Sequence, residues 1–212
     1  MKKLIAITLF CILSLAAYAQ QAVDLGLSVK WASCNLGASS QEQNGNYYAW
    51  GETAPKTEYH WGTYKLRDKS VGEFESHLSK YCNSAEYGRV DKIKTLLAED
   101  DAATQKLGSK WRIPTRDEWN ELLEQCKWVW TKKNGRNGYL VTSRKNGNSI
   151  FLPASGHFYG DRISGEGMLG FYWSSSLGTV GYASSIICFG SDRSKEGSSE
   201  RFTGLTIRPV CQ

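Results

Sequence analysis

The chain has 212 residues, a formal charge of +5, six cysteines, eight tryptophans, eleven tyrosines, 21 glycines and only four prolines. No Lys/Arg run is long enough for a nucleic-acid tract, and no stretch approaches the ~18 consecutive apolar residues of a membrane span. The aromatic and glycine content points instead to a loop-rich fold whose irregular backbone is pinned by large side chains.

Residues 1–19 read as a secretory signal peptide rather than as fold. Lys2 and Lys3 precede an almost wholly apolar run from Leu4 to Leu15, and Ala17-Tyr18-Ala19 supplies the small-x-small cleavage pattern. Cys11 lies inside that run behind Thr8-Leu9-Phe10, a poor lipidation box. The mature chain is therefore expected to begin at Gln20 and to be exported: periplasmic, at the cell surface or secreted. Without Lys2 and Lys3 the formal charge falls from +5 to +3, and the 193 residues left of 212 suffice for one domain, 20–212, with a sizeable core.

Apolar and polar residues alternate from Leu27 to Ala32, which predicts an N-terminal strand, and "GNYYAWGET" (45–53) predicts a second between boundary glycines. Residues 54–90 are polar and aperiodic, and read as a long surface excursion with a short helix near 71–81. "LAEDDAATQKLG" (97–108) reads as a short helix with acids in its first turn and Gly108 at its C-cap, a better account of Asp100 and Asp101 than calcium ligation.

"KWRIPTRDEWNELLEQC" (110–126) sets Asp117 and Glu118 between Arg112 and Arg116. The spacing of Thr115 and Glu118 is that of a capping box, with Pro114 placed to staple onto Trp119. Trp119, Leu122, Leu123 and Cys126 then fall on one helical stripe, and Arg116, Asp117, Glu121 and Glu124 on the outer face. Each acid thus has a structural task, and Arg112 is expected to pair with an acid or cap a carbonyl. "NGYLVTSRKNGNSIFLPASG" (137–156) predicts a hairpin turning at Asn146-Gly147. A Gly-rich loop over 157–170 precedes three short strands, "FYWSSS", "YASSIICFG" and "LTIRPVC". The sum is an α+β chain.

Five cysteines follow residue 19: Cys34, Cys82, Cys126, Cys188 and Cys211. Export permits disulfides, but the odd count leaves at least one thiol unpaired within the chain. A Cys188–Cys211 bridge and a set of free buried thiols both remain open. No CxxC, CxxH or GxSxG pattern occurs, and His60, His77 and His157 are widely spaced, so no catalytic residue, metal ligand or cofactor is assigned.

Seven segments in order, "VDLGLSVKWASCNLGA", "GNYYAWGET", "KYCNSAEYG", "KWRIPTRDEW", "NGNSIFLPASG", "YWSSS" and "RFTGLTIRPV", together resemble the Fibrobacter succinogenes major paralogous domain family. The run 100–123 also resembles the helix–loop–helix signature of the formylglycine-generating, sulfatase-modifying superfamily. The resemblance implies a C-type-lectin-like fold, with two helices packed on small antiparallel sheets, long irregular loops, and N- and C-terminal strands that bring Leu27–Trp31 near Leu205–Pro209. It does not imply catalysis. The superfamily's copper oxidases use two cysteines among aromatic and acidic residues, a setting that Cys188 and Cys211 lack. Its iron-dependent members need a histidine triad on an extra helical domain.

In the lectin-like fold the ligand-facing loops follow the second helix, which here means 157–167 and 178–204. Tyr159, Asp161, Arg162, Tyr182, Asp192, Arg193 and Arg201 stand there among Gly and Ser, a composition suited to recognition. Trp173 is expected in the core instead. The leading expectation is an exported, non-catalytic binding or adhesion module for an extracellular protein or glycan, with no nucleic-acid partner. The alternatives are a degenerate sulfatase-modifying-type oxidase using Cys188, and a structural surface or filament subunit.

Overall fold

Tyr172 and Trp173 are neighbours on one strand, so their side chains leave opposite faces, and they enter two different hydrophobic cores. In this computed structural model the described residues are 20–72, 77–178, 183–192 and 194–212. The expected signal peptide, 1–19, lies outside them.

The architecture is α+β, with few helices and several small antiparallel sheets. In chain order the strands are β1 (Ala22–Val23), β2 (Lys30–Ala32), β3 (Trp111–Arg112), β4 (Cys126–Lys133), β5 (Arg136–Ser143) and β6 (Ser149–Pro153). They continue with β7 (His157–Tyr159), β8 (Arg162–Ser164), β9 (Gly170–Leu177), β10 (Ala183–Phe189), β11 (Ser194–Glu200) and β12 (Val210–Cys211). Helix α1 spans Ala102–Leu107 and α2 spans Arg116–Gln125. The sheets run β1-β2-β12-β3, β11-β10-β9, β4-β5-β6 and β7-β8. Among the described residues no helix is long and apolar enough to cross a membrane.

The chain ends meet as expected. Val210 pairs with Trp31 and Cys211 with Lys30, and the Ala32 amide donates to the Pro209 carbonyl at 2.8 Å. Arg208 locks this junction from within. Fully buried, it donates through Nε to Asn35 Oδ1 (2.9 Å), through Nη1 to the Ala32 and Ser33 carbonyls (3.0 and 2.8 Å), and through Nη2 to Phe151 O (2.7 Å).

Helix α2 starts as its sequence dictates. Thr115 Oγ1 accepts from the Glu118 amide at 3.3 Å, and Glu118 Oε2 accepts from the Thr115 amide at 2.8 Å. The Arg112 guanidinium forks onto the Glu118 carboxylate. Trp119 and Leu122 are buried, whereas Cys126 belongs to β4: the apolar stripe continues past the end of the helix into a strand.

The β5–β6 hairpin forms as predicted, with Asn146 and Gly147 inside a loop over 144–148. A strand absent from the sequence reading, β4, precedes it and joins β5 through Asn134-Gly135, both at positive φ (46° and 82°), as a primed two-residue turn requires.

Other expectations need correction. "GNYYAWGET" makes a single bridge, Tyr48 to Leu205, because a turn at Ala49–Glu52 ends the pairing. The described part of 71–81 is not helical. Tyr81 takes a left-handed φ of 60°, with its amide held by Asp91, and Leu78 bridges Arg67 and Gly88. A Cβ at Gly88 would lie 2.6 Å from the Leu78 carbonyl, so only glycine permits that approach. Residues 54–90 are no surface excursion either: Tyr59, Tyr64, Leu66, Leu78, Tyr81 and Cys82 are buried in the first core. The 97–108 segment breaks into a 3-10 turn (Ala98–Asp100) and α1, because Asp101 is the N-cap, accepting from the Thr104 amide at 3.0 Å. The loop 157–170 contains the β7–β8 hairpin, and the charged stretch before Glu200 forms β11 against β10. Cys188 and Cys211 lie in different sheets, and none of the five described cysteines forms a disulfide.

Aromatic tips pin the irregular backbone, as the composition suggests. Trp50 Nε1 donates to Ser174 O (2.8 Å), Trp173 Nε1 to Tyr48 O (2.7 Å), and Tyr64 Oη to Trp50 O (2.8 Å).

Candidate functional site: an exposed hairpin face

The β7–β8 hairpin is short, so its position depends on what it is bonded to. Phe158 exchanges both backbone hydrogen bonds with Gly204 (2.8 and 2.9 Å), and Gly160 exchanges both with Tyr59 (2.8 and 2.7 Å). At its base the Gly156 amide donates to Leu169 O at 2.7 Å. Phe158 faces inward, its ring centroid 5.7 Å from Tyr47 and 5.1 Å from Tyr59. A three-residue ribbon that would be marginal alone is thereby fixed on the core at both ends.

The opposite face is open. Tyr159 is 54% exposed and stands edge-on to Phe202 (5.6 Å), which in turn meets half-buried Trp61 (6.1 Å). Arg162 lies directly across the ladder from Tyr159, and Asp161 is at the turn, 3.6 Å from Arg162 Nε. Both charged side chains are largely exposed, and such a surface pair contributes little to stability. Ile163, which pairs with Phe158 and so lies on the other face of the ladder from Tyr159, and Met168 and Leu169, in the loop after β8, are also exposed (41%, 66% and 39%). Four of the seven exposed large apolar side chains among the described residues therefore fall between 159 and 169.

The turn after β8 is braced from outside. Glu166 Oε1 accepts from Arg136 Nη1 (2.6 Å) and from Asn44 Nδ2 (2.8 Å). Asp192 enters the same neighbourhood: a Cβ on Gly190 would lie 3.3 Å from Leu169 Cδ2 and 3.7 Å from Asp192 Oδ1. Burial first, and the Asp192 charge second, push the nearby Tyr139 phenol above its ordinary pKa.

Of the residues expected to face a ligand, Tyr159, Asp161 and Arg162 thus share one hairpin, and Asp192 is exposed just after β10. Tyr182 and Arg193 lie outside the described residues. Arg201 is a correction. It is fully buried, with its guanidinium 5.0 Å from the Trp50 ring, and burial lowers its pKa. It is part of the scaffold because the aromatic wall of the first core closes over it. Phe202 and Trp61, which support Tyr159, escaped the sequence reading, although the lone tryptophan in "HWG" was a visible signal.

Cys188 is half-buried on β10, across from Phe171 and Lys195. Asp100 accepts from Lys80 and from Tyr81, both at 2.6 Å. Trp173 is fully buried, as expected. Compared with protein-family models, with curated proteins and with solved structures, the chain gives no match.

Proposed function

We propose that the chain is an exported, non-catalytic recognition module of C-type-lectin-like fold that binds an extracellular protein through the β7–β8 hairpin and the loop after it, where Tyr159, Arg162, Ile163, Met168 and Leu169 are exposed. The observation that carries this reading is that four of the seven exposed large apolar side chains among the described residues fall on this core-bonded hairpin and on the loop after it. Exposed large apolar side chains gathered in one short segment often mark an interaction surface. Tyr, Met and Arg are the residue types enriched at protein interfaces, and a rigid aromatic anchor loses little entropy on binding. Asp161, Arg162 and Asp192 supply a charged rim. Export and the lectin-like frame are supported by the N-terminal sequence and by the resemblance of the seven segments.

The test is a binding screen of the purified protein against extracellular proteins and a glycan array, run beside Tyr159→Ala and Met168→Ser. Hits among proteins that weaken by about tenfold or more in both variants, with unchanged thermal stability, support the reading. Hits confined to glycans would change the ligand class. A blank screen with concentration-dependent polymerisation would replace it with a structural subunit. Stoichiometric copper uptake lost in Cys188→Ser would replace it with an oxidase.

A further inference from the structure

Strand β4 lies at the edge of the sheet β4-β5-β6 and runs eight residues, Cys126–Lys133, in unbroken register with β5. The two-residue turn at Asn134-Gly135 makes Lys133 and Arg136 a hydrogen-bonded pair. Alternation from that pair turns the N–H and C=O groups of Thr131, Val129 and Lys127 toward β5, and those of Lys132, Trp130 and Trp128 away from it. Among the described residues no backbone group bonds to these outward ones. Such an edge is a template for a further strand, and native sheets guard it with a bulge, a proline or charge.

Here the guard is charge of one sign. β4 has neither bulge nor proline, but it carries Lys127, Lys132 and Lys133, a formal charge of +3. With Arg136 these are the only charged residues in the three strands. Glu42, Glu166 and Glu121, near the ends of the sheet, are engaged by Asn134, Arg136 and Ser28, and Glu124 is exposed on α2 two residues before the strand. Lys127, Val129, Thr131 and Lys133 share one face of the ribbon, with Val129 exposed. Trp128 and Trp130 share the other, half-buried against Tyr139 with ring centroids 5.4 and 5.3 Å away.

We propose that β4 takes up an extended acidic segment of a partner protein as an added strand. Ladder bonds to Trp128, Trp130 and Lys132 supply affinity whatever the sequence, and the cross-strand neighbours supply the choice. A residue beside Lys127 or Lys133 should be acidic and one beside the flank of Trp128 and Trp130 apolar, so the segment alternates the two. The same lysines turn away a second copy of this chain. Antiparallel pairing centred on Trp130 would set Lys127 against Lys133, and any register would join two strands of charge +3. This edge shares no residue with the β7–β8 hairpin, so either surface can bind without the other.

The experiment measures fluorescence anisotropy of three short labelled peptides titrated with the purified protein. One alternates Glu with Val, one alternates Glu with Pro, equal in charge but unable to form a ladder, and one alternates Lys with Val. The Glu–Val peptide should bind at about 100 μM or tighter, and the other two about tenfold more weakly or worse. Lys127→Glu combined with Lys133→Glu should weaken the Glu–Val peptide by about tenfold, and Tyr159→Ala should leave it unchanged. Thermal melts of each variant verify folding. Amide hydrogen exchange reads the ladder directly in the wild type. The amides of Trp128, Trp130 and Lys132 should exchange fast in the free protein and about tenfold or more slowly with the peptide bound, while Val129 and Thr131, already bonded to β5, change little. The proposal is overturned if the Glu–Val peptide never saturates, if the Glu–Pro peptide binds as well, if the three amides gain protection from protein concentration alone, or if binding is lost in Tyr159→Ala.

Discussion

Glu118 shows how much one side chain can settle at the start of a helix. Its carboxylate closes the capping box with Thr115 and receives the fork of Arg112, and it is largely buried. Burial pushes its pKa up, but Arg112 and the Thr115 amide overcome this and hold it below the ordinary carboxylate range. A depressed folded pKa means that the group stabilises the fold above its unfolded value, ~4.3, and that this contribution is lost as pH falls through the folded value. Thr115→Ala should cost about 1 kcal/mol at neutral pH. Glu118→Gln turns an amide toward Arg112 and leaves the guanidinium uncompensated, which should cost roughly 2–3 kcal/mol. Urea melts at pH 7 and at stepwise lower pH check both figures. The gap between wild type and Glu118→Gln should shrink on acidification, and a gap that stays constant to pH ~2 would contradict the assignment.

The strands that the sequence reading missed show where local patterns stop being informative. The capping box and the β5–β6 hairpin were legible because each is decided within about ten residues. The stripe that ends α2 runs on into β4 as "CKWVW", so one apolar pattern serves a helix and then a strand, although Asn134-Gly135 carried the same turn signal as Asn146-Gly147. The β11 segment is polar, and it is a strand because it pairs along its whole length with β10. Tyr159, Asp161 and Arg162 could be picked by composition alone, whereas the burial of Arg201 depends on Trp50, 151 residues away in the chain. Gly170 faces Phe189 across the β9–β10 ladder, and a Cβ there would enter the space of the aromatic ring. Gly170→Ala should therefore cost about 2–3 kcal/mol, and Phe189→Leu added to it should cost less than on its own, with a coupling of roughly 1 kcal/mol or more in a double-mutant cycle. Arg208 ties β2, β6 and the C-terminal strand through acceptors that a lysine ammonium cannot all reach, so Arg208→Lys should cost about 3–5 kcal/mol, nearly as much as Arg208→Met. A near-native melting curve for the lysine variant would show that charge, not the planar fork, is what matters.

At the scale of the whole molecule the question is whether two cores make two unfolding units. The first core gathers Trp50, Tyr64, Leu78, Tyr81 and Trp173, and the second Trp31, Trp119, Leu122, Tyr139 and Tyr172. They share β9, whose adjacent Tyr172 and Trp173 are both fully buried, one on each side. Trp119 of the second core donates its indole N–H to the Trp173 carbonyl at 3.2 Å, and the terminal segment supplies Leu205 and Ile207 to one core and Val210 to the other. Neither core can open without unseating this shared strand, so the molecule should unfold in one cooperative step. Two buried thiols make this measurable: Cys82 lies in the first core and Cys126 in the second, 1% and 2% exposed. In variants that keep only one of these two thiols, alkylation under native conditions should report the same opening free energy, equal to that of global unfolding. Leu122→Ala, a deletion in the second core alone, should lower that free energy by about 2–5 kcal/mol for both thiols alike. If Cys126 became reactive while Cys82 stayed protected, the second core would open by itself, and β9 would be a seam between two units rather than their common wall.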